Sequence, residues 1–216
     1  MLITAADIGQ AVDPTAIIVV ERFKERPEEV DDRPPDEFLI RHIQRVPLGT
    51  PYTQVVEEIA HVSEVVQAAS GRSVITVVDA TGVGKPVVDM LRRRLRLPLK
   101  AITFTAAADE VHPDPHAYRV PKRDLVMALE VALEGRRIHA APGLGLADDL
   151  NAELRAFEVN LSARGHDRYE AAKGKHDDLV MALALAIWWG SRKGQGSVFI
   201  EAWRSRSARF NRAAVR

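Results

Sequence analysis

The chain has 216 residues, 46% hydrophobic and 28% charged, which fits one globular domain and excludes a disordered or fibrous chain. Lys+Arg and Asp+Glu number 30 each, so a nucleic-acid partner has to be argued from local patches, not from global charge. Cysteine is absent, which removes disulfides, thiol nucleophiles and Cys-ligated zinc and permits a reducing compartment.

Met1 to Ala6 has no basic stretch and Asp7 interrupts the apolar run, so no signal peptide is expected. Residues 2–8 and Thr15 to Glu21, with its β-branched run Ile17 to Val20, predict two paired strands turning at Asp13-Pro14. Residues 25–37 hold seven acids, two Arg and three Pro, which predicts a solvated acidic loop. Phe38 to Val46 predicts a third strand. Pro51 opens a helix that carries Val55, Val56, Ile59 and Val62 at helical spacing and stops at Gly71. Val74 to Val78 predicts a strand buried on both faces, ending at Asp79.

A helix follows to about Arg96, then a fifth strand over Leu99 to Thr105. Ala106 to His116 has no period and reads as a loop. Pro121 starts a helix that ends at Gly135, and Arg137 to Ala140 predicts a short strand. Leu146 to Phe157 predicts a helix, and Glu158 to Ala171, with Gly165 at its middle, a β-hairpin. His176 to Trp189 predicts a final helix. Its run Leu179 to Trp189 is eleven residues long where a membrane span needs roughly 20, so it reads as buried in the protein. Three leading strands followed by alternating helices and strands predict an α/β fold: a mixed sheet, antiparallel through its first three strands and then parallel, with helices on both faces.

Acids stand at three places where packing alone does not ask for them. Asp7 and Asp79 end strands, and Asp177 with Asp178 opens the apolar helix. Singly, Asp7 and Asp79 read as turn residues, Asp177 as a helix N-cap and Asp178 as a complement to the helix dipole. Jointly they suggest more, because functional groups in α/β sheets gather at the carboxyl ends of strands. If the two strands are parallel neighbours, three or four carboxylates converge, and like charges so close need compensation. Hard Mg²⁺ or Mn²⁺ supplies it through oxygen ligands alone. Two such ions about 3.5–4 Å apart activate a water and stabilise the leaving oxygen of a phosphodiester.

Asp7-Ile8-Gly9 with Asp13-Pro14-Thr15-Ala16, then Val78 to Gly84, Tyr118 to Lys122, and Gly174-Lys175-His176-Asp177-Asp178-Leu179-Val180 resemble, in order and spacing, the nuclease domain of bacteriophage large terminase subunits. The resemblance covers residues 2–192. It implies a ribonuclease H-like fold and a two-metal endonuclease, using Mg²⁺ or Mn²⁺, that cuts concatemeric double-stranded viral DNA during packaging in the host cytoplasm. It further implies Asp7 and Asp79 as strand ligands of the metals and Asp177/Asp178 as the helix ligand, with Asp178 slightly favoured, and it matches Asp13 to a turn acid of the first motif. A separate packaging ATPase, a small terminase subunit and a portal are the implied protein partners.

The chain departs from that pattern twice. Met181 stands where many relatives carry a further acid, and no ATPase motor precedes strand one. The departures leave open a separately encoded nuclease, a shortened piece or a prophage remnant, and also a non-catalytic DNA-binding remnant or assembly module. A ribonuclease H-like fold would equally suit a junction resolvase or an RNA–DNA hybrid nuclease.

Gly82-Val83-Gly84-Lys85 is no phosphate loop, since Asp79 and Pro86 occupy the positions of its first Gly and its Ser/Thr. His112 and His116 are separated by prolines that forbid a shared helix face. His176 adjoins the acid pair, either as a contact to metal or phosphate or as a local cap. Trp188-Trp189 predicts core packing over base stacking. Arg92 to Arg94, Arg96 and Arg136-Arg137 predict solvated faces. Lys122-Arg123 opens a helix, where free N–H groups and two cations suit a DNA phosphate. Residues 193–216 form a separate basic tail; its last fourteen residues hold five Arg and no acid, a pattern for nonspecific DNA affinity.

Overall fold

A computed structural model describes residues 1–9, 13–24, 36–82, 84–105, 110–164 and 176–192. The strands are β1 (Leu2–Asp7), β2 (Thr15–Lys24), β3 (Asp36–Val46), β4 (Val74–Asp79), β5 (Leu99–Thr105), β6 (Val111–Asp114), β7 (Ala117–Pro121) and β8 (Ile138–Ala140). The helices are α1 (Tyr52–Ser70), α2 (Gly84–Arg94), α3 (Lys122–Glu134), α4 (Ala147–Arg164) and α5 (Asp178–Arg192). The eight strands form one sheet in the order β6-β7-β5-β4-β1-β2-β3-β8. β1, β2 and β3 pair antiparallel, while β1–β4, β4–β5, β5–β7 and β3–β8 pair parallel. The mixed sheet expected from the element order is therefore present.

Strand alternation sorts the core into two layers. Leu2, Ala6, Ile17, Val19, Val74 and Val78 face α1 and α2. Ile3, Ala5, Ile18, Val20, Ile75 and Val77 face α5, with α3 and α4 packed beside it. Continuing that odd-numbered parity puts Asp7 and Asp79 on the α5 side. Every residue of α5 from Asp178 to Gly190 is buried, so this helix is apolar all round because protein surrounds it. A Cβ on Gly190 would lie 2.6 Å from Cε1 of the fully buried Phe38, so glycine there lets α5 settle onto β3. Gly9 is needed more strictly: its Cβ would lie 2.0 Å from the Asp13 carbonyl oxygen, where the chain leaves β1 and returns as β2.

Three expectations need correction. The segment before His116 is not all loop, because β6 pairs antiparallel with β7. Pro113 obscured it, yet β6 is an edge strand, where a missing N–H is tolerated. The hairpin over Glu158 to Ala171 is wrong in its first half, since α4 runs on to Arg164; residues 165–171 lie outside the described set. Leu150, Leu154, Phe157 and Leu161 keep helical spacing, and that period outweighs the turn signal at Gly165. Nor are all the arginines a solvated face: Arg94 of α2 reaches Glu57 and Glu64 of α1, each at 2.7 Å. The acidic loop 25–35 and the basic tail 193–216 also lie outside the described residues.

Candidate functional site

β1 and β4 run in parallel with Ala6 opposite Val78, so Asp7 and Asp79 leave the sheet side by side. Each is the first residue to emerge from an otherwise buried strand. Their carboxyls are close enough that the charge of Asp79 acts on Asp7. Burial pushes the Asp7 carboxyl well above its ordinary range, and the charges of Asp79, Asp177 and Asp178 add to that. Asp79 is raised too, mainly by burial, but Thr81 restrains the shift. The Thr81 backbone N–H donates to Asp79 Oδ1 at 2.7 Å and its hydroxyl donates to the same oxygen. The Phe104 N–H in turn donates to Thr81 Oγ1 at 2.8 Å, so the turn after β4 fixes Asp79 against β5.

The first turn of α5 delivers two acids to different surroundings. Asp178 is 3% exposed and both of its oxygens accept from Arg45 of β3, at 2.8 and 3.1 Å. Arg45 also donates to Glu153 of α4. The other Glu153 oxygen accepts the N–H groups of Leu179 and Val180, at 3.1 and 3.4 Å, and so caps α5 from outside. Burial and the nearby Asp178 push Glu153 up to about 7 despite Arg45 and the two N–H donors. Asp177 precedes the helix, its carbonyl accepting the Met181 N–H at 2.8 Å. Its carboxylate lies 3.9 Å from Lys122 Nζ, and the Lys122 charge favours ionised Asp7 and Asp79 as well.

Lys122 and Arg123 begin α3, as expected, but Lys122 answers the acids directly, and Arg123 Nε lies 3.5 Å from Asp124. His176 and Asp13 face each other at 3.7 Å, both more than half exposed. Met181 is 2% exposed and packs into the layer around α5. Trp188 and Trp189 are core residues, 6% and 4% exposed, edge-on to Tyr118.

The donors are all carboxylate oxygens, the chemistry that hard divalent cations prefer, and the mutual repulsion of Asp7, Asp79, Asp177 and Asp178 is what such a cation would offset. The residues therefore fit Mg²⁺ or Mn²⁺. Among the described residues no three acids or histidines already stand at ligand spacing, because Asp178 is turned to Arg45 and Asp79 to Thr81.

Among solved structures, the chain is similar to the human cytomegalovirus terminase nuclease domain soaked with manganese, at 14% identity and a TM-score of 0.53 over 86% of this chain and 81% of that one. The same domain with an inhibitor bound gives 14% identity and 0.53 over 86% and 82%. The chain has the ribonuclease H-like fold. Thermus thermophilus RuvC covers 91% of this chain and 98% of its own at 14% identity, with a TM-score of 0.43. No family model and no curated protein matches the sequence.

On this ribonuclease H-like frame, sequence reasoning missed Arg45 and Glu153. Glu153 left a signal: it lies three residues after Leu150 and four before Phe157, an acid on the buried face of α4. Arg45 left none, since it alternates unremarkably in a strand and meets Asp178 only across 133 positions.

Proposed function

We propose that the chain is a divalent-metal-dependent endonuclease acting on double-stranded DNA, with Asp7, Asp79 and a helix acid supplied by the Asp177/Asp178 pair holding two Mg²⁺ or Mn²⁺ ions. One observation carries the reading: two neighbouring parallel strands each end in a carboxylate, facing the acidic first turn of a buried helix. When bound, the ions supply the positive charge that lets water attack a phosphodiester and that steadies the departing 3′ oxygen. The chain's own residues do the rest. Thr81 holds the Asp79 carboxylate in place, and Lys122 offsets the negative charge while no metal is bound. Lys122 and Arg123, at the start of α3, contact the DNA backbone, and His176 and Asp13 line the entrance. Residues 1–192 form the nuclease domain, and the Arg-rich segment 193–216 adds nonspecific affinity.

The biological role we infer is cutting concatemeric viral DNA in genome packaging, alongside a separate ATPase, a small terminase subunit and a portal. The motif order and the likeness in fold to a viral terminase nuclease domain support it. The test is incubation of purified protein with supercoiled plasmid, a four-way junction and an RNA–DNA hybrid, each with Mn²⁺, Mg²⁺ or EDTA. The expected result is metal-dependent nicking of plasmid, lost in Asp7→Asn and Asp79→Asn. Preference for the junction or hybrid would reassign the substrate, and DNA binding without any cleavage would leave a non-catalytic module.

A further inference from the structure

Asp177 and Asp178 are neighbours in sequence with the same functional group, yet different cations hold them. Asp178 is buried, and Arg45 occupies both of its oxygens, with Arg45 held in turn by Glu153. Asp177 is 29% exposed at its side chain and its nearest cation is Lys122, 3.9 Å away. The job an aspartate before a helix usually does, capping the free N–H groups, is already done by Glu153 on Leu179 and Val180. The Asp177 carboxylate is thereby spared the capping role and faces Lys122, whereas both oxygens of Asp178 are committed to Arg45.

Resting on the nuclease reading above, we propose that Asp178 is a positioning residue. Arg45 and Glu153 clamp it to fix the first turn of α5, and Asp177 is the helix acid that takes the metal beside Asp7 and Asp79. Three elements distant in sequence, β3, α4 and α5, meet in that clamp, so it sets the height and rotation of the helix end from which Asp177 projects. Lys122 supports the same division: its charge also acts on Asp7 and Asp79, so Asp177 shares a counter-charge with the strand pair.

The test compares Asp177→Asn, Asp178→Asn, Arg45→Met and the double variant Arg45→Met/Asp178→Asn. Mn²⁺ binding is read by the electron paramagnetic resonance signal of the free ion, and folding by thermal melting in EDTA. Asp177→Asn is expected to melt like wild type and to bind Mn²⁺ at least about tenfold more weakly. Arg45→Met is expected to melt about 10 °C lower, because Asp178 and Glu153 are left buried without their guanidinium partner. The double variant, with one unpartnered buried carboxylate fewer, regains part of that loss and keeps Mn²⁺ affinity within about threefold of wild type. It keeps the comparison open even where Arg45→Met does not fold. The reverse pattern, with Mn²⁺ binding lost in Asp178→Asn and the double variant but kept in Asp177→Asn, overturns the assignment alone. Wild-type protein that neither binds Mn²⁺ nor cuts DNA overturns the nuclease reading and the assignment together.

Discussion

Two groups of acids meet at the first turn of α5, and the structure treats them oppositely. Around Arg45 each buried carboxylate has direct donors, though one guanidinium serves both and Glu153 is still pushed up to about 7: Asp178 receives two hydrogen bonds from the guanidinium, and Glu153 receives the guanidinium and two backbone N–H groups. Around Asp7 the balance is negative, with Asp79, Asp177 and Asp178 all opposing its ionisation and Lys122 favouring it. A compensated cluster serves the fold. An uncompensated one costs stability and persists where something outside the chain supplies the missing charge, which is why perturbed carboxyls mark candidate sites. Residue type does not separate the two groups; the partner does.

The comparison breaks most readily at the strand pair. Asp7→Asn or Asp79→Asn should lower Mn²⁺-dependent plasmid nicking by at least about a hundredfold, since even residues supporting a metal ligand are worth roughly 10–100-fold. Melting in EDTA should be unchanged or higher, because a like-charge contact is relieved. A variant that cuts at the wild-type rate removes these residues from the site.

At the other cluster, Arg45→Met should cost about 3–5 kcal/mol in urea unfolding, the cost of a buried charge left alone. A loss under about 1 kcal/mol would mean that Asp178 finds solvent and that the pair is an ordinary surface bridge.

The pH dependence sharpens the contrast. Glu153 is raised from 4.5 to about 7 in the folded protein, and Asp7 is raised as well. Between the ordinary and raised values the native state binds more protons than the unfolded chain, so stability falls as pH rises through that window. Thermal midpoints in EDTA should therefore drop from about pH 5 to about pH 7.5. Mn²⁺ should flatten the part due to the strand pair, and Glu153→Gln the part due to the clamp. A midpoint that rises with pH in EDTA would contradict both shifts.

The smallest effect expected is at Thr81. Thr81→Val removes one donor to Asp79 and should cost about 0.5–1.5 kcal/mol. It should move the pH profile of cleavage upward, as Asp79 loses part of what favours its ionised form. An unchanged profile would show that the backbone N–H of residue 81 suffices.

Much of the frame was legible because it rests on local pattern. Val74 to Val78 reads as a strand and Leu179 to Trp189 as a buried helix through apolar run length alone. The parity of β1 and β4 even places Asp7 and Asp79 on one face once the strands are known to be parallel neighbours. What failed locally was β6, masked by Pro113, and the end of α4, where Gly165 drew attention from a continuing helical period.

The sequence by itself determined the strands other than β6, which helix is buried and which acids stand where packing does not want them, because hydrophobic period and turn chemistry act over a few residues. Only the tertiary structure decided that Glu153 caps α5, that Arg45 holds Asp178 and that Lys122 lies beside Asp177. Those assignments depend on charges meeting across β3, α4, α3 and α5 in a space partly shielded from water, and no spacing along the chain encodes which charge arrives there first.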